Sequence, residues 1–164
     1  MVGLAGSDSK CSWLTYELGF DAAINYKTES VARKLHKHCP DGIDVIFENV
    51  VGEILDAEMM WINDFARIVI CGLISGYNAT EPLPGPSSFP LVLIRRARVE
   101  GFIVIDFMER YGEALEKLSE WYGEGRLKYR VDVFDGLETA PRNINRLFDG
   151  SHNGKLIIKV SDEP

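Results

Sequence analysis

Short blocks of consecutive apolar residues alternate along this chain with stretches in which apolar positions recur every three or four residues. The first kind of pattern predicts strands and the second amphipathic helices. Residues 2–6 read as a short strand running into Gly6-Ser7-Asp8, where Ser7 or Asp8 caps a helix that buries Cys11, Leu14 and Leu18 and stops at Gly19. A second strand is predicted at 22–25. A helix follows over 30–38, closed by the turn signal Cys39-Pro40-Asp41-Gly42. Residues 43–48 form a third strand, and 52–61 a helix that turns Ile54, Leu55 and Met59, with Ile62 beyond it, inward. The run 67–71 is almost continuously apolar, which belongs to a strand covered on both faces.

The stretch 72–90 holds too many glycines and prolines to be regular throughout. A short helix over 91–96 then leads to a fifth strand at 98–105. The clearest helical stripe in the chain follows, made by Phe107, Tyr111, Ala114, Leu118 and Trp121 and ended by Gly123 and Gly125. Five strands alternating with helices imply an α/β fold of the doubly wound, Rossmann type with a parallel sheet. After Arg126 the order changes: a strand at 129–134, a helical stretch at 137–148 with Pro141 near its first turn, and a closing strand at 155–160. A boundary is expected near Gly125.

Composition narrows the function. With 164 residues, 46% of them apolar, the chain is long enough for one domain with a sizeable core. A net charge of −7 argues against nucleic acid as a partner, since a phosphate backbone attracts clustered Lys and Arg. Arg95, Arg96 and Arg98 are read either as anion contacts or as a solvated strand edge. No apolar run reaches the ~18 residues that span a bilayer, so no membrane partner is expected. Residues 1–6 do not make a signal peptide. Cys11, Cys39 and Cys71 are odd in number and scattered, which fits neither a disulfide framework nor a zinc site. A reducing cytoplasm is the expected location.

Ligands of parallel α/β sheets bind at the carboxyl ends of the strands. There the sequence places Gly6, Ser7 and Lys10, then Asn25, Tyr26 and Lys27, then Glu48 and Asn49, then 71–77, then 104–107. Ser7 at a helix N-terminus can donate to a phosphate. Lys10 in the first turn favours NADP over NAD, although it is read equally as a solvated helix lysine, and Asp8 could instead reach a free ribose hydroxyl. Tyr77 could present its hydroxyl to a nicotinamide or a carbonyl substrate or could simply pack. Cys71 reads as a small strand-end residue, and His36 and His38 as solvated. His152 stands in a glycine-flanked turn. Glu48 could act as an acid or base or organise its loop.

Several runs taken together carry a resemblance: Ala5-Gly6-Ser7-Asp8-x-Lys10-Cys11, Asn25-Tyr26-Lys27-Thr28, Cys71-Gly72-Leu73-Ile74-Ser75-x-Tyr77-Asn78, Glu100-Gly101-Phe102-Ile103-Val104, Gly136-Leu137-Glu138-x-Ala140-Pro141 and Gly154-Lys155. The chain resembles, over essentially its whole length, the zinc-independent medium-chain dehydrogenase/reductases of the leukotriene B4 12-hydroxydehydrogenase/prostaglandin reductase and bacterial curcumin-reductase-like group. That resemblance implies NADPH-dependent reduction of the carbon–carbon double bond of α,β-unsaturated aldehydes and ketones. A homodimer is expected as the common default of soluble oligomers. It implies that Lys10 contacts the 2′-phosphate, that Tyr26 and Asn49 touch the cofactor, and that Cys71, Gly72, Ile74, Ser75 and Tyr77 belong to the loop beside the nicotinamide. Tyr77 would stand near the reacting carbonyl. Phe102, Ile103 and Val104 would pack at the nicotinamide end, with the turn of His152 closing over the cofactor. Residues 1–127 would be an NADP-binding domain without its first βα unit, and 128–164 a return segment of a catalytic domain, with an apolar face exposed on 129–134 and 156–160.

The chain departs from the family pattern where its Asn-Val-Gly-Gly reads Asn49-Val50-Val51-Gly52, placing a β-branched residue where positive φ is costly. His152 stands where the family has Asn. The family's Gly-rich pyrophosphate loop has no counterpart in these residues. Two further readings therefore stand beside the reductase: a truncated pseudoenzyme or dimerising interaction module that binds nucleotide weakly or not at all, and a quinone reductase.

Overall fold

A computed structural model describes residues 1–81 and 84–162. Pro82 and Leu83 in the breaker-rich stretch, and Glu163 and Pro164, lie outside the described residues. The chain forms two compact units, Met1–Tyr111 and Gly112–Pro164.

The first unit alternates strand and helix as its sequence pattern requires. In order it contains β1 (Val2–Ala5), α1 (Asp8–Tyr16), β2 (Ala22–Asn25), α2 (Val31–His38), β3 (Ile43–Glu48), α3 (Glu53–Met59), β4 (Ile62–Ile70), α4 (Pro90–Ile94) and β5 (Arg98–Gly101). All strand pairs are parallel, as crossover helices dictate. The strands make two hydrogen-bonded groups rather than one continuous sheet: β1 with β2, and β3-β4-β5 with β4 in the middle.

The core of this unit lies where α3 covers β3 and β4. Ile46, Leu55, Met59, Ile62, Ala66 and Ile68 form one buried cluster, and Val51, Leu91, Val92 and Ala97 pack against it. Leu55 and Met59 are one helical turn apart, and Ala66 and Ile68 alternate with exposed Arg67, so the helix and strand periods meet on one face. The expected two-sided burial of this strand is not found: Ala66 and Ile68 are buried, Val69 and Ile70 only half-buried. On β3 the alternation is equally clear, with Ile46 and Glu48 buried and Val45 and Phe47 exposed.

Two boundaries differ from the sequence pattern. The fourth strand starts at Ile62, because Ile62 already pairs with Ile43 across an irregularity in register. The fifth ends at Gly101, and Val104–Arg110 turns into 3-10 helix instead of continuing as strand.

The second unit opens on the remainder of α5 (Tyr111–Gly123) and continues with β6 (Val131–Asp135), α6 (Ala140–Asn143), α7 (Arg146–Asp149) and β7 (Lys155–Lys159). β6 and β7 pair in parallel, with the helical turns as crossover. The single helix expected over 137–148 is broken into a 3-10 turn at Leu137–Thr139 and two short helices. The apolar stripe of α5 forms as its spacing requires, but Leu115, Leu118 and Tyr122 stay exposed. Val131, Val133, Ile157 and Val160 also stay exposed, on and just beyond the β6–β7 pair.

Burial therefore divides the apolar residues into those that hold the fold and those that do not. Met59→Ala removes a side chain that is 1% exposed and is expected to cost about 2–5 kcal/mol in urea unfolding. Leu115→Ala, at a position 64% exposed, is expected to stay within about 0.5 kcal/mol of the parent.

Candidate functional site

Sequence reasoning directs attention to the carboxyl ends of the first-unit strands, and there the loops are tied to one another. Glu48 ends β3 and is 3% exposed. Its Oε1 accepts the backbone N–H groups of Val50 and Val51, the latter at 3.0 Å. Its carbonyl accepts Cys71 N–H at 2.8 Å and Gly72 N–H at 3.2 Å. Beyond it, Ile74 N–H donates to Asn49 O at 3.0 Å, Ser75 N–H to Val50 O at 3.2 Å, and Ser75 Oγ to the same oxygen at 2.5 Å. The loop after β4 is thus sewn onto the loop after β3, which brings Asn49, Cys71, Gly72, Ile74 and Ser75 together. Gly72 suits this approach: a Cβ there would lie a tight 3.3 Å from both Asn49 O and Asn49 Oδ1.

Val51 adopts φ 61°, so the β-branched residue does take the left-handed conformation that its sequence position makes costly. The Glu48 carboxylate holds its N–H, and its side chain packs against the core cluster. Gly52 follows with φ 67°.

The β1 and β2 ends form a second tied pair. Ser7 caps α1, its Oγ accepting from Lys10 N–H at 3.3 Å. Asp8 is engaged by Asn25, whose Nδ2 donates to Asp8 Oδ1 at 2.6 Å, so its carboxylate organises the strand ends. Tyr26 N–H donates to Ala5 O at 3.1 Å. The Tyr26 ring lies over Gly6, where a Cβ would meet its hydroxyl at 2.8 Å. Tyr26, Ser30, Val31, Val50, Val51, Gly52, Glu53 and Ser75 line a cavity of about 540 Å³ that joins the two sets of loops. Tyr26, Ser75 and the motif Asn49-Val50-Val51-Gly52 were legible in the sequence; Ser30 was not, because only the loop crossing brings it there.

The other candidates stand elsewhere. Tyr77 is 67% exposed, at the end of the 3-10 turn Ile74–Gly76. The Phe102 ring packs on Phe47 and Phe107, with centroids 6.3 and 5.9 Å away, while Ile103 and Val104 are exposed. His152 belongs to the second unit, where its Nδ1 is 3.0 Å from Gly154 O. Arg95 and Arg96 pair with Asp64, and Arg98 with Glu100, so the basic cluster is occupied by carboxylates of the chain itself. His36 stacks on Trp61, with centroids 4.5 Å apart.

One buried acid escaped the sequence reading. Glu58 of α3 is 9% exposed and hydrogen-bonds Glu48. Burial first, and then the Glu48 charge, push its carboxyl up to about 8. An isolated Glu in a helix gives no signal of this; only the packing of α3 on β3 does.

Among the described residues, no three His, Cys, Asp or Glu side chains gather as a metal-ligand set, and no helix is long and apolar enough to cross a membrane. A family model described as zinc-binding dehydrogenase matches residues 18–158. The chain is 41% identical over 168 residues to the NADPH-dependent curcumin reductase of Escherichia coli, covering 99% of itself and 49% of that protein. It is 40% identical over 164 residues to the NADP(+)-dependent 2-alkenal reductase of Nicotiana tabacum, of which it covers 48%. CurA of Vibrio vulnificus, solved in complex with NADPH, superposes with a TM-score of 0.91 at 39% identity, over 99% of this chain and 50% of that one. The chain thus spans about half the length of the relatives it matches.

Because the folded carboxyl of Glu58 titrates near 8 instead of its ordinary 4.5, the protonated form is favoured by folding. Its contribution to stability is full below about 4.5 and is lost as pH rises through about 8. Urea midpoints are expected to fall across that window, by at most about 1.4 kcal/mol of stability per pH unit from this group. Glu58→Gln should flatten the decline, and an unchanged slope in that variant would show that another group is responsible.

Proposed function

The chain belongs to the zinc-binding dehydrogenase family, and from that premise we propose that it is the cofactor-binding portion of an NADPH-dependent reductase acting on the carbon–carbon double bond of α,β-unsaturated aldehydes and ketones. The observation that carries this reading is the cavity at the carboxyl ends of β2 and β3, lined by Tyr26, Ser30, Ser75 and the backbone of 50–52. It has the position that nucleotide cofactors take in sheets of this kind. The residues fit a nucleotide: the hydroxyls of Tyr26, Ser30 and Ser75 line the cavity and can hydrogen-bond a ligand. They do not supply a zinc donor set, so no step is drawn through zinc despite the family's description.

In this reading Ser7 and the N–H groups opening α1 face a phosphate, with the Lys10 ammonium beside the 2′-phosphate. Tyr26 and Asn49 hold the ribose side, and the stitched segment Cys71, Gly72, Ile74 and Ser75 supports the nicotinamide side. When bound, NADPH supplies the hydride. Tyr77 presents its hydroxyl to the substrate carbonyl oxygen and stabilises the negative charge that develops there. Phe102, Ile103 and Val104 offer an apolar wall that excludes water. Residues 1–127 form the cofactor portion, and 128–164, including His152, belong with a catalytic domain.

The reading includes a homodimer and a cytoplasmic location, supported by the exposed apolar residues on and beside β6 and β7 and by three free cysteines. The same exposed residues support a second reading, an interaction module with little nucleotide affinity. A quinone oxidoreductase of Pseudomonas syringae shares the fold at 16% identity and a TM-score of 0.78, which bears on the fold alone.

Calorimetric titration with NADPH and with NADH separates these readings. The reductase reading expects saturable binding of NADPH, weakened about tenfold (~1.4 kcal/mol) by Lys10→Ala, with NADH binding little changed by that substitution. Absence of binding by either nucleotide on folded protein would overturn it in favour of the interaction module.

A further inference from the structure

Asn25 ends β2 and is 5% exposed, and each of its backbone and side-chain amide groups has a partner. Its Nδ2 donates to Asp8 Oδ1 at 2.6 Å, and its Oδ1 accepts Lys27 N–H at 3.2 Å. These two partners fix the amide orientation, since a backbone N–H needs the oxygen and a carboxylate needs the nitrogen. Asn25 N–H donates to Glu29 Oε2 at 3.0 Å, and Glu29 Oε1 pairs with Lys34 Nζ of α2. The Asn25 carbonyl accepts Thr28 N–H at 3.1 Å and Glu29 N–H at 2.9 Å. The residue is therefore a fixed post, held by the loop that follows it and through Glu29 by α2. What its amide grips is the acidic residue in the first turn of α1.

That turn carries groups of opposite preference for a ribose. Ser7 at the N-cap, the N–H groups behind it and Lys10 favour a 2′-phosphate. An acid at such a strand end instead accepts a free ribose 2′-hydroxyl and repels a phosphate. Asp8 is exposed, so the balance depends on where its carboxylate is held. The Asn25 amide holds it at the end of β2 through a charge-assisted hydrogen bond. Bound there, the carboxylate cannot turn toward a ligand without breaking that bond. Sequence puts the acid and the lysine two positions apart; the pairing of β1 with β2, which sets Ala5 opposite Asn25, brings the amide to the acid.

We propose that Asn25 is a positioning residue for cofactor selectivity: by holding the Asp8 carboxylate back, it leaves the first turn of α1 to a 2′-phosphate and so favours NADPH over NADH. The inference rests on the NADPH reading above and assigns the selectivity of that site to a residue that acts through Asp8.

Calorimetry with NADPH and with NADH on the whole chain tests it, the preference being the ratio of the NADH Kd to the NADPH Kd. Asn25→Ser removes the Nδ2 donor but keeps a short oxygen acceptor for Lys27 N–H, so the local turn survives. The preference is expected to fall about fivefold, the effect of one unit charge brought to ~4 Å from another in water. With Asp8→Ala already in place, Asn25→Ser is expected to leave the preference unchanged, because the released carboxylate is absent. Raising the salt from about 0.1 M to about 1 M should shrink the effect of Asn25→Ser, since an added charge is screened and a packing defect is not. Asn25→Asp keeps the side-chain shape and sets a second carboxylate against Asp8; it takes the place of Asn25→Ser should that variant not fold, with a fall at least as large. An unchanged preference in the folded variant would overturn the role of Asn25 and leave the cofactor reading standing. An equal fall in the Asp8→Ala background, or a full effect at the higher salt, would do the same by assigning the loss to structure. A parent chain that binds neither nucleotide would overturn both.

Discussion

The carboxylate of Glu48 accepts the N–H groups of Val50 and Val51 at the point where β3 ends, while its carbonyl takes those of Cys71 and Gly72 from the end of β4. Each of these donors belongs to a chain that has just left its strand and lost its ladder partners. Leaving the half-buried N–H groups of Val50, Val51 and Gly72 without a partner there would cost stability. One acidic residue therefore pays for two loop exits at once, and the candidate site depends on it. It fixes Val51 in a left-handed conformation, brings Ser75 onto Val50, and so closes one side of the cavity in which Tyr26 also stands.

The same residue sets the chemistry of its neighbour. A carboxyl group as buried as Glu58, next to a second carboxyl, favours its protonated form. The packing of α3 thus favours Glu58 as a neutral hydrogen-bonding group. This links the packing of α3 on β3 to pH through a residue that meets the strand end at Glu48.

A parallel sheet is stable when its central strands are covered on both edges and both faces. In this chain the β3-β4-β5 group achieves this only around Ile46, Ala66 and Ile68, on the face that α3 covers. The opposite face of β3, the facing edge of β1, the stripe of α5 and the exposed residues of β6 and β7 remain apolar and open. Those surfaces have the composition of an interior. Their presence in a chain that spans half the length of its relatives connects the energetics of the fold to the question of what else the folded protein meets.

The alternation of strands and helices, the parallel class of the sheet and the inward turn of Leu55, Met59 and Ile62 were written in local periodicity, because apolar spacing of two or of three to four reports which face each element must bury. The glycine-bearing motifs likewise placed Asn49, Gly72, Ser75 and Tyr26 at strand ends, where short side chains and sharp turns leave a local signature. Local pattern did not specify the end of β5 at Gly101, the break between α6 and α7, the division of five strands into two hydrogen-bonded groups, or the meeting of Glu48 with Glu58. Each of these is decided by partners distant in sequence. Whether Val104 continues a strand, whether Val51 occupies positive φ, or whether an acid stays neutral depends on which hydrogen bonds and how much water surround it after folding, and only the tertiary structure sets those.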